Sequence, residues 1–272
     1  MGYAWAFGAL AGAMMAFPQE AAAAAAQGLW LWARAIAPVL GPFMACMLML
    51  TSRVKGGIWF RYALGWLCGS PGGARLMQEA GLKGSLALRS AAITGTMSPM
   101  FFLGTLSAWL ESPSAGRLIL ACHIAGALLT GLCIAVKEEW TAPRPSPMAL
   151  GAALRESALA LLTVALCMML GCVAARMARC AFPRLPAWAG AGIQCALEVT
   201  AGVKSLIALR TPFSVPLSCA ACSFGGLSIL LQNAAFWQES GVKPAQLLLL
   251  RLVHAALSGL LCWAWAAACG ML

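Results

Sequence analysis

The chain has 272 residues, 62% of them apolar and only 10% charged, where a soluble globular domain carries roughly 25% charged residues. Twenty-six charges cannot coat a soluble exterior, and the Lys and Arg behind the +10 net charge sit singly between apolar runs, which argues against nucleic-acid binding. There is no Asp and there are only eight Glu, so neither a carboxylate metal cage nor an acid–base pair is expected, and no cofactor or enzymatic motif is indicated.

Taken in chain order, the first 17 residues form a short apolar stretch ending at Phe17-Pro18, followed by the Ala21–Ala26 run. No Lys or Arg precedes the stretch, so a first membrane segment is the favoured reading, with a cleaved signal as the alternative. Trp30–Leu50 is apolar but carries Pro38 and Pro42, which predicts a late start or a kink. A basic loop with Arg53, Lys55 and Arg61 leads to an apolar stretch interrupted at Cys68–Arg75 that continues to about Arg89. Ala91–Trp109 is interrupted at Thr94–Pro99, and Arg117–Val136 is an intact span carrying His123. Lys137–Pro147, charged and with three prolines, reads as the linker. Beyond it come an intact span at Ala158–Ala174, a basic turn (Arg176, Arg179, Arg184) and an interrupted stretch at Cys195–Lys204. A span broken at Ser223–Ser228 precedes Gln232 and Asn233, and the last span, Leu247–Cys269, carries Arg251 and His254. The long runs approach the roughly 20 residues that cross a bilayer as a helix. Cysteines inside such runs behave as small hydrophobes, and one CxxC pair, Cys219 and Cys222, does not make a metal site.

The halves repeat each other. Gly73, Ser98 and His123 are spaced like Gly202, Ser228 and His254, and each Gly is followed two residues later by a base, Arg75 or Lys204. Each half reads as full span, re-entrant hairpin, broken span and full span, an odd number of crossings, so the halves are expected to be inverted. The predicted fold is an all-α integral membrane protein: inverted repeats with two re-entrant hairpins and two broken transmembrane helices. The segments are residues 1–28 (N-terminal), 29–136 (first repeat), 137–149 (linker) and 150–272 (second repeat). Duplicated halves with broken segments in matching places are the pattern of secondary transporters. The side holding Arg53–Arg61 and Lys137–Arg144 is slightly richer in bases and is assigned to the cytoplasm.

These motifs resemble the nucleoside-recognition, or Gate-domain, membrane proteins, and among them the sporulation integral membrane proteins of the YlbJ group. The likeness covers roughly Trp30 to Trp265. It lies in Pro38–Phe43, Gly69–Leu76, Ser98–Phe101 with Gly104, Glu198–Gly202, and Phe224–Ser228 with Gln232 and Arg251. It implies a compact version of the concentrative nucleoside transporter fold, with hairpins at 57–89 and 186–210 and tips at Gly69–Gly73 and Glu198–Gly202. The helix breaks would fall near Gly95–Pro99 and Phe224–Ser228. It further implies a bacterial cell membrane, even a membrane of the developing spore, and transport of dipicolinate, a small aromatic dianion.

Residues expected to bind solute are Ser70, Arg75, Thr96, Ser98, Glu198, Thr200, Lys204, Ser228, Gln232 and Asn233. An intramembrane carboxylate is costly enough to mark function, although Glu198 could instead pair with Lys204 or Arg251. Arg75 and Lys204 could neutralise an anion or snorkel to the interface. The hydroxyls and amides could bind solute or satisfy broken backbone, and His123 and His254 fit helix packing better than proton carriage. The expected function is a carrier or facilitator for a small polar or anionic solute. The alternatives are a nucleoside transporter and a non-transporting subunit of a sporulation complex. The expected partners are the solute and the lipid bilayer, with a homo-oligomer left open.

Overall fold

The computed structural model describes residues 2–54, 56–142 and 146–270; Lys55 of the basic loop and residues 143–145 of the linker lie outside them, as do the last two residues of the second repeat. Among the described residues every regular element is helical. α1 (Gly2–Ala16) precedes α2 (Pro18–Leu31), which continues through a wide π turn at Trp32–Ile36 into α3 (Ala37–Thr51). The π turn lies where Pro38 withholds the amide that would bond back to Arg34, so the expected kink is a widened turn inside one 34-residue helix. The 28/29 boundary falls inside that helix.

Two short helices follow, α4 (Ile58–Cys68) and α5 (Gly72–Glu79), joined at Gly69–Pro71. At 1.5 Å per residue they are roughly 16 and 12 Å long, well short of a bilayer core of about 30 Å. α6 (Gly84–Thr94) then begins earlier than the sequence indicated, so residues 84–89 belong to it and not to the preceding helix pair. The chain leaves helical geometry at 95–98 and re-enters it through a π turn at Phe101–Leu106 and α7 (Ser107–Trp109). α8 (Pro113–Leu132), α9 (Leu150–Ala181) and a second short pair, α10 (Ala187–Leu197) and α11 (Val199–Ala208), come next. α12 (Ser214–Phe224) and α13 (Gly226–Trp237) meet at Gly225, and α14 (Pro244–Ala268) closes the fold.

Five helical stretches are long and apolar enough to cross a membrane: Pro18–Thr51, Pro113–Leu132, Leu150–Ala181, Ser214–Ser240 and Pro244–Ala268. The chain is an all-helical multi-pass membrane protein. α8, α12 and α14 pack on one another at the centre, α6 lies against α8, and the long helix 18–51 runs along α9. Lipid supplies no hydrophobic drive between helices, so close backbone approach matters. Gly28 provides it, since a Cβ there would lie 3.0 Å from the Cα of Met169 on α9.

The two largest cores are built alike. One gathers α4, α5 and α6 with Trp237 and the start of α14; the other gathers α10, α11 and α12 with Phe102, Leu106 and the outer part of α8. The linker also has a structural task. Its Glu138 carboxylate accepts from the amides of Ser85 (2.8 Å) and Leu86 (3.2 Å) and from the Ser85 hydroxyl, capping α6. Those bonds hold the Glu138 carboxyl down at about 2.

Candidate functional site: a cavity between helix tips and helix breaks

The first break exposes carbonyls and amides that lipid cannot satisfy. Arg251 of α14 reaches across, donating through Nη2 to the Ala91 carbonyl (2.8 Å) and through Nη1 to the Gly95 carbonyl. The Met97 amide donates to His123 Nε2 (3.1 Å). A backbone amide only donates, so the His123 proton sits on Nδ1 and is donated to Ser223 Oγ at 2.8 Å. His254 Nε2 donates to the His123 carbonyl (2.8 Å), and the two rings lie 4.7 Å apart, centroid to centroid. The Ser70 amide, at the tip between α4 and α5, donates to the Thr96 carbonyl at 2.6 Å. One tip and one break are thus tied backbone to backbone.

The second tip is a single non-helical residue, Glu198. Its side chain folds over the start of α11 and accepts from the Thr200 (3.1 Å) and Ala201 (2.7 Å) amides. It is 1% exposed and has no basic partner among the described residues. The pairings considered for it are absent: Arg251 is spent on carbonyls, and Lys204 is exposed. The second break needs less support. Gly225 adopts φ +82, a left-handed conformation that costs an L side chain about 1–2 kcal/mol, and its amide still closes onto Ala221 at 2.9 Å.

These four features meet at a cavity of about 60 Å³, room for a few water-sized groups. Cys68 and Ser70 come from the first tip, Met97 and Ser98 from the first break, Glu198 and Thr200 from the second tip, and Ser228 and Gln232 from just beyond the second break. Ile36, Val39, Val164 and Met168 form the apolar wall. Six of the ten expected residues therefore share one cavity. Thr96 and Asn233 stand one layer behind it, Thr96 through its carbonyl on Ser70 and Asn233 through Nδ2 on Ser70 Oγ (3.2 Å). Ser228 Oγ, Thr96 Oγ1 and Asn233 Oδ1 are buried without a partner among the described residues, as expected where water or solute completes the bonding.

The two bases do not reach the cavity. Arg75 pairs with Glu79 (3.2 Å) and with Glu156 of α9 (2.9 Å), and Lys204 points to outer grooves. Glu198 is the charged side chain of the lining, and no Lys or Arg accompanies it. Sequence reasoning did not assign Arg251 and His123 their task of holding the break. The signal was an Arg and a His buried inside otherwise apolar spans.

No protein-family model, curated protein or solved structure matches the chain. The class defined by the structure alone is a multi-pass helical membrane protein with one carboxylate-bearing cavity at the meeting point of its helix interruptions.

Proposed function

We propose that the chain is a secondary-type carrier or facilitator for a small polar or anionic solute, organised as two inverted repeats whose short helix pairs are re-entrant hairpins. The observation that carries this reading is the convergence of two helix tips and two helix breaks on one cavity, where their few polar side chains meet an otherwise apolar lining. Freed backbone groups cost least when gathered around one wet site, and a permanent scaffold has no need of such a site in the bilayer. Further support comes from the matched cores and from the adjoining rings of His123 and His254, each in the last helix of its half.

The α11 amides that an anion would use are already occupied by Glu198. An anionic solute would therefore compete with that carboxylate, and loading is coupled to Glu198 moving aside or taking up a proton. Dipicolinate and nucleosides, the solutes implied by the resemblance, are the first to test. In proteoliposomes, uptake of labelled dipicolinate and uridine is compared between wild type, Glu198→Gln and Glu239→Gln. The expected outcome is a loss of about tenfold or more for Glu198→Gln and little change for Glu239→Gln, which sits outside the cavity. Equal effects, or no uptake by inserted protein, would remove the carrier reading in favour of a non-transporting membrane subunit.

A further inference from the structure

A second feature adjoins the cavity. Between α2 and α11 runs a groove of about 510 Å³, lined by Gln27, Trp30 and Arg34 on one side and by Ala201, Lys204 and Ser205 on the other. Residues 27, 30 and 34 share one face of the long helix 18–51, Arg34 in its π turn, so the groove follows that helix for about two turns. Groove and cavity are lined from the same two stretches of chain. Arg34 faces the groove while Ala35 lines the cavity; Thr200 lines the cavity while Ala201 lines the groove.

The groove is positive, and its charges are uncompensated. None of the eight Glu pairs with Arg34 or Lys204 among the described residues, and both cations are exposed. Arg34 is the more telling of the two. It lies sixteen residues into the long helix, roughly 24 Å from its start at 1.5 Å per residue. A charge midway along a candidate span is expensive unless it serves a polar path. It also belongs to the π turn Trp32–Ile36, a widening that often accompanies functional sites. Its guanidinium lies 3.6 Å from the centre of the Trp30 ring, one turn back towards the helix start, so the charge is held over the groove. Lys204 stands on the far wall, where the groove meets a second one lined by Trp109, whose ring is 5.9 Å from its Nζ.

We propose that the α2–α11 groove is an anion-binding vestibule, in which Arg34 and Lys204 hold a small carboxylate-bearing solute next to the cavity before it competes with Glu198. This rests on the carrier reading for its role but not for its binding. The shared lining stretches favour a soluble anion over a lipid headgroup, because a headgroup would gain nothing from a cavity beside the groove.

The test uses the full chain in phosphatidylcholine nanodiscs. Binding of 4-fluorobenzoate, a monoanion, and of its neutral analogue 4-fluorobenzamide is followed by fluorine NMR. Wild type should bind the anion about tenfold more tightly than the amide. Arg34→Gln and Lys204→Gln should each weaken anion binding about tenfold, Arg34→Lys should weaken it less because the charge is kept but the stacking on Trp30 is lost, and the exposed Arg184→Gln should change it little. Equal binding of the two probes, no binding to wild type, or no effect of Arg34→Gln in a protein that keeps its wild-type melting temperature would overturn the proposal. So would displacement of the anion by added phosphatidylglycerol that is itself retained only when both bases are present, since the groove would then be a lipid site. Anion binding without any uptake would remove the carrier reading and keep the vestibule. Uptake indifferent to Arg34→Gln would do the reverse.

Discussion

At residues 95–98 four consecutive residues leave helical geometry, whereas the second break is two consecutive positive-φ glycines, Gly225 and Gly226, and the two breaks are stabilised in correspondingly different ways. The wider break depends on groups from distant parts of the chain: the side chains of Arg251 on two carbonyls and of His123 on one amide, and the backbone amide of Ser70 on the Thr96 carbonyl. The narrower one begins at Gly225, in left-handed geometry, whose own amide continues the helix hydrogen bonding. Both interruptions open onto the same cavity, but only one is held by ionisable groups. A break that consumes long-range donors ties distant helices together; a local break leaves its two helix halves free to reorient.

Substitutions at the two breaks test that contrast directly. Arg251→Met should be the most damaging, because it strips donors from two buried carbonyls at about 1–3 kcal/mol each and leaves the first break unsupported. A loss of about 4 kcal/mol is expected, read as a lower melting temperature and reduced yield in detergent. A variant as stable as wild type would show that water can replace the guanidinium. His123→Ala should cost about 2 kcal/mol by orphaning the Met97 amide, with no comparable loss for a substitution at the exposed Leu129. Gly225→Ala should cost at least about 1–2 kcal/mol through the left-handed backbone, with its Cβ only 3.3 Å from Ile229, and Gly225→Asn should recover part of the backbone cost. If Gly225→Ala proves worse than Arg251→Met, the ranking of the two breaks is reversed.

The smallest effect concerns the linker. The Ser85 hydroxyl and amide hold the Glu138 carboxyl at about 2 against an ordinary value of 4.5. The folded value is the depressed one, so the bonding to α6 is fully present above 4.5 and fades as pH falls towards 2. The melting-temperature difference between wild type and Glu138→Gln should therefore shrink over that window. A difference independent of pH would mean that the carboxylate charge plays no part in capping α6.

The interruptions themselves were legible in the sequence because they are written in local chemistry. Gly69–Gly73, Thr94–Pro99 and Phe224–Ser228 carry clustered glycines or prolines that weaken a helix locally, and the structure breaks at all three. Glu198 stood out for the same reason, as a lone carboxylate in an apolar run. Arg75 did not behave as its position indicated. Two residues after a tip glycine it looked available to a solute, yet Glu79 one turn away and Glu156 on α9 claim it. Glu156 could be matched to Arg75 only by knowing which helices meet. The start of α6 was misplaced for a similar reason, since its cap, Glu138, comes from the linker beyond α8.

Composition and the lengths of the apolar runs were enough to establish a helical multi-pass chain, because crossing a bilayer demands internally bonded backbone and apolar flanks whatever the neighbours are. They were also enough to locate the places where that backbone fails. Which groups repair each failure was decided only by the tertiary structure. Arg251 and Gly95 stand 156 residues apart, and no local rule pairs them. The same holds for the packing that sets Arg34 beside the cavity rather than in it. Satisfying a buried polar group is a matter of what lies within hydrogen-bonding reach, and in this chain that is set by the packing of α2, α8, α11 and α14.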